Sequence, residues 1–157
     1  MVLMRIVELA CGADQHRAIV VLEDMEQRIR LAFSTDPHEA HRLAREMGHA
    51  RCSCNPVYDF MQSLLGAFRA TISHVVLDDM GSKGIGAIIC LRLGEVELTR
   101  SWYPPGALAL ALRAKVPIYA TAQALAHAHP LSPPPDGLPS SSTEAREWLE
   151  RVRPEDF

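Results

Sequence analysis

The stretch Tyr103 to Tyr119, YPPGALALALRAKVPIY, decides the fold. From Ala107 to Leu112 it alternates Ala and Leu, a pattern that fits a strand or a helix equally by periodicity. Residue type separates the two. Ala and Leu are strong helix formers, and no β-branched residue appears before Val116. Pro105 and Gly106 can open a helix and Pro117 closes it. A helix apolar on every side is a buried one. The spacing therefore predicts a core helix entered through a loop of Trp102, Tyr103, Pro104 and Pro105.

Upstream, Met1–Cys11 and Ala18–Glu23 read as strands, and Arg28–Phe33 alternates as a half-buried one. Asp36-Pro37-His38-Glu39 carries an N-cap acid, a proline at the first helical position and a glutamate at N3, the start of a helix ending at Gly48. Asn55-Pro56 opens a second helix, on which Val57, Phe60, Met61, Leu64, Leu65 and Phe68 keep helical spacing. Thr71–Met80, Ile85–Leu93 and Glu95–Trp102 read as an antiparallel meander. Pro117–Tyr119 is a short extended piece, and Thr121 caps a short helix ending near His127. The order predicts an α+β domain over residues 1–129, with a mixed, largely antiparallel sheet packed against helices. Residues 130–142, with five prolines and four serines, read as a linker. Residues 143–157 read as an amphipathic helix, with an apolar stripe of Ala145, Trp148, Leu149 and Val152.

With 157 residues the chain can bury a real core. No apolar run approaches the roughly 20 residues of a membrane-spanning helix, and the charged N-terminus is too short for a signal peptide, so a cytoplasmic location without membrane attachment is expected. The net charge of −3 gives no support to a broad nucleic-acid surface. Cys11, Cys52, Cys54 and Cys90 are expected as free thiols. His49-Ala50-Arg51-Cys52-Ser53-Cys54 lacks the usual Cys-x₂-Cys spacing of a zinc site. The glycine-rich Gly81–Gly86 segment reads as a hairpin turn leading into a strand, without the spacing of a phosphate-binding loop.

ALALALR (Ala107–Arg113) and PIY (Pro117–Tyr119) resemble the signature of the bifunctional nuclease domain family almost letter for letter. Two weaker blocks agree: Tyr58–Asp79, YDFMQSLLGAFRATISHVVLDD, and Glu39-Ala40. The resemblance implies an α+β fold, homo-oligomerisation as a dimer, and DNase and RNase activity assisted by Mg²⁺ or Mn²⁺. It also places the candidate catalytic residues at Glu39, Asp59 and Asp79, where the family's polar character is retained. The loop before the helix departs from the pattern. Tyr103 stands where the family has Arg, Pro105 where it has Ser, Gly106 where it has Asp, and Tyr58 where it has His.

Hydrolysis of a phosphodiester needs an activated water and stabilisation of developing charge. Each retained carboxylate also has a structural explanation: Glu39 as a capping-box residue, Asp59 near a helix start, Asp79 before a turn. Pro104 and Pro105 offer no N–H to a phosphate, and Tyr103 supplies no bidentate cation. Two functions are therefore expected from this chain: a nuclease with activity reduced or lost, or a binding protein that presents Trp102, Tyr103 and Tyr58 to a peptide, a small molecule or a protein partner.

Overall fold

The computed structural model describes residues 1–11, 16–48 and 56–130. The expected linker beyond Pro130, the C-terminal helix, and His49 with Cys52 and Cys54 lie outside these residues. The elements are β1 (Val2–Cys11), β2 (Ala18–Asp24), β3 (Ile29–Thr35), α1 (Pro37–Glu46), α2 (Pro56–Ala67), β4 (Ala70–Asp79), β5 (Ile85–Leu93), β6 (Val96–Trp102), α3 (Pro104–Ala114), β7 (Ile118–Ala120), α4 (Ala122–Leu125) and β8 (His129–Pro130).

The eight strands form one sheet in the order β6-β5-β4-β7-β1-β2-β3-β8. β4, β5 and β6 make the expected antiparallel meander. β7 lies between the two halves of the sheet, parallel to β4 and antiparallel to β1. The fold is thus α+β with a mixed, largely antiparallel sheet. Pro130, read as the first linker residue, instead pairs with Ile29.

The Ala-Leu stretch is a helix, and all seven residues from Pro105 to Ala111 are buried. It packs on β4 and β5 and against α1. Tyr103 is its N-cap, and Lys115 ends it in the left-handed conformation at φ 55°. Leu43 of α1, Leu22 and Leu31 of β2 and β3, and Val75 and Leu77 of β4 complete the core. Among the described residues no helix is long and apolar enough to cross a membrane.

α2 differs from the sequence expectation in the direction it faces. Only Tyr58 is buried on it, while Val57, Phe60, Leu64 and Phe68 are exposed. Helical spacing specifies a stripe, not what the stripe meets.

The turn between β2 and β3 is held by a buried carboxylate that no motif announced. Asp24 is 3% exposed and accepts from the amides of Arg28 at 2.7 Å and Ile29 at 2.9 Å. Burial pushes its carboxyl up, but these amides and the charge of Arg28 outweigh it, so Asp24 sits below the ordinary value of 3.8. Asp24→Ala is expected to cost about 2 kcal/mol at neutral pH, the scale of hydrogen bonds to a charged group. Because the folded-state pKa is the lower one, this stability is present above the unfolded value. It is lost as pH falls through the folded one. Urea unfolding of both proteins at pH 7 and at pH 3 checks this, and the gap should narrow in acid.

Candidate functional site

The end of the sheet where α3 begins carries a cavity of about 650 Å³. The C-terminal part of β3 supplies Phe33, the β4–β5 turn supplies Lys83 and Ile85, α3 supplies Tyr103, Pro104 and Pro105, and His127 closes the far side. This size and mixture suit a small organic ligand.

Tyr103 shapes the cavity. It is 40% exposed and makes an edge contact with Trp102, with ring centroids 5.7 Å apart. Its ring lies over Gly106: a Cβ there would stand 2.6 Å from Tyr103 Cζ and 2.8 Å from its hydroxyl. A side chain at 106 would therefore displace the tyrosine ring. Two departures from the family loop, one large for Arg and one small for Asp, form a single packed pair.

Behind Tyr103 lies Tyr58, 2% exposed, whose hydroxyl hydrogen-bonds Tyr103. Burial raises the Tyr58 pKa most, and the bond to Tyr103 and the negative charge of Glu39 raise it further, against the opposing pull of Arg42. Tyr58 is a neutral donor at any physiological pH. The structure therefore brings Tyr58, Tyr103 and Glu39 into one neighbourhood.

Glu39 does not close the expected capping box. Asp36 caps α1 by accepting from the amide of His38 at 2.8 Å. Glu39 turns instead to Arg42, whose Nη1 donates to Oε1 at 2.9 Å, while its buried Oε2 has no hydrogen-bond partner.

The other two carboxylates sit elsewhere. Asp59, exposed on α2, is bound by Arg113, which also reaches Glu46 at 3.5 Å. Asp79 accepts from the amide of Gly81 at 2.8 Å and pairs with His127 Nε2 at 3.1 Å. The bond to His127 and then the Gly81 amide hold its carboxyl below the ordinary range. His127, just past the short helix α4, finds its partner in a strand-end carboxylate. Arg42 stands i,i+3 from Glu39 on α1, a spacing the sequence does show, whereas Arg113 carried no sequence signal as the partner of Asp59, because that contact joins two helices.

Each of the three carboxylates thus has its own side-chain partner, Arg42, Arg113 or His127. Among the described residues no group of three or more His, Cys, Asp or Glu side chains is placed to hold a metal ion. One unpartnered oxygen on Glu39 does not make the near-octahedral oxygen set that Mg²⁺ demands. The donor set among the described residues does not fit a divalent metal.

The model of the bifunctional nuclease domain matches residues 20–131, from β2 through β8. The chain belongs to the bifunctional nuclease domain family. No curated protein matches it. The matched span includes the cavity, α3 and every site residue discussed above, whereas β1 and residues 132–157 lie outside it. Within this bifunctional nuclease domain the ALALALR helix is core, and Tyr103 and Pro105, just before it, line the cavity.

Proposed function

We propose that this bifunctional nuclease domain protein acts as a ligand-binding or accessory protein, with phosphodiester hydrolysis reduced or lost. The observation that carries the reading is the Tyr103–Gly106 pair at the mouth of α3. Of the first three helical residues, Pro104, Pro105 and Gly106, only the glycine has an N–H, and the residue beside it is an uncharged phenol. A helix start of this kind is a poor phosphate cradle. The same residues, with Phe33 and Ile85 opposite, make an apolar wall with hydroxyl and amine groups at its rim. That wall suits a peptide segment or a small organic molecule. Self-association belongs to the same reading, with the unpaired edge of β6 and its exposed Val96 and Leu98 as the available strand.

Two measurements test it. Fluorogenic DNA and RNA substrates with Mg²⁺ or Mn²⁺ are expected to show no turnover above the metal buffer. A fragment screen read by NMR is expected to shift Phe33, Ile85 and Tyr103 together, and Tyr103→Ala should weaken those hits about tenfold, the scale of one well-packed aromatic contact. Metal-dependent cleavage that disappears in folded Glu39→Ala and Asp59→Ala proteins would sink the reading and restore the enzymatic one.

A further inference from the structure

The largest anomaly outside the cavity is α2. Val57, Phe60, Leu64 and Phe68 are 51%, 63%, 41% and 69% exposed and lie on one stripe. Single exposed apolar residues are ordinary, but three along one helix, continued by Phe68 in the turn after it, make a patch that marks an interaction site. The helix also needs cover for its own sake. It has twelve residues, a glycine at position 66 and one buried side chain. Helices of that length are marginal in water and draw their stability from packing.

The chain carries a matching surface beyond its described residues. Thr143 to Val152 presents Ala145, Trp148, Leu149 and Val152 at helical spacing, with Glu147 and Arg151 as an i,i+4 pair among its polar residues. We propose that this C-terminal segment packs as an amphipathic helix on the exposed apolar stripe of α2 in the same chain.

Geometry permits it. The described chain ends at Pro130 in β8, and α2 packs against β4 and runs into it. From β8 to β4 the sheet order gives five steps, through β3, β2, β1 and β7. At about 4.8 Å per step the separation is about 24 Å. Residues 131–142 are twelve in number, and a proline-rich stretch of that length reaches about 37 Å at 3.1 Å per residue. The tether is long enough to cross the sheet. It is also short enough to hold the segment at high effective concentration near α2.

Hydrogen exchange on the full-length protein tests the contact from both sides. Phe60→Ser, at a solvent-facing position, should raise exchange of residues 143–153 at least about tenfold. Trp148→Ser should raise exchange of residues 57–68 comparably. In both variants the amides of α3 and β4 should keep their protection, which separates loss of docking from loss of folding. The protection should also be unchanged on dilution from 100 µM to about 1 µM, as expected for an intramolecular contact. Residues 143–153 exchanging at unprotected rates in the parent protein, or failing to respond to Phe60→Ser, would overturn the proposal. Protection of α2 that vanishes on dilution would overturn it too, and would assign the stripe to a second copy.

Discussion

Replacing Leu108 by alanine is expected to destabilise the domain by about 3–4 kcal/mol, within the range measured for buried Leu-to-Ala changes. Leu108 is fully buried, in a helix whose residues from Pro105 to Ala111 are buried on every side. Alanine is the better helix former by a few tenths of a kcal/mol, so intrinsic propensity opposes the loss only slightly. The cost comes from the cavity left between α3 and the strands β4 and β5 on which it packs. Urea unfolding should show a lower midpoint with an unchanged slope. A loss under about 1 kcal/mol would mean that the neighbours close the hole, contrary to a core packed from both sides.

Gly106→Asp, the change that restores the family residue, is expected to behave badly alone and well in company. A Cβ at position 106 meets the Tyr103 ring at 2.6 Å, well inside contact distance. The ring is on a half-exposed side chain and yields before the helix does. Once displaced, it deserts the hydroxyl of buried Tyr58, and an orphaned buried donor costs about 1–3 kcal/mol. Tyr103→Arg together with Gly106→Asp removes the clash and adds an opposite charge beside the new carboxylate. The double variant should therefore be more stable than the sum of its single changes by about 1–2 kcal/mol, a coupling typical of residues in contact. A thermodynamic cycle from urea unfolding measures it. Strict additivity would show that the two positions do not form one packed unit.

The core helix was legible because its residues are of one kind: seven consecutive apolar or small positions admit no solvent-facing side, and only burial reconciles them with water. The meander was legible for a similar reason, since Gly94 and the 3-10 turn at Gly81–Lys83 separate runs of strand formers. The packing partner of α2 was not legible. Its stripe of Val57, Phe60, Leu64 and Phe68 looks the same in sequence whether it meets the core or solvent. The neighbourhoods of the candidate residues were legible only in part. Tyr58 and Tyr103, expected on one rim, hydrogen-bond each other, whereas Glu39, Asp59 and Asp79, expected as one set, stand apart with separate partners. That Arg113 takes Asp59 and His127 takes Asp79 depends on contacts across 54 and 48 residues, which no local pattern encodes. The same holds for Asp24, whose role rests on two amides in the following turn and on the burial that the surrounding sheet imposes.

The position of β7 has a consequence for how the molecule is made. It joins the two halves of the sheet, pairing Met4 with Ile118 on one side and Val75 with Ile118 on the other. During synthesis β1 emerges before β2, yet its second neighbour, β7, follows more than a hundred residues later. Until then β1 and β4 each present an open edge, the kind of surface that recruits foreign strands. Closing a loop of more than a hundred residues is slow compared with forming either half. The nascent chain therefore spends its most aggregation-prone interval as two half-sheets awaiting a three-residue strand. Ile118, the buried first residue of that strand, pairs with Met4 and Val75 and so touches both halves at once.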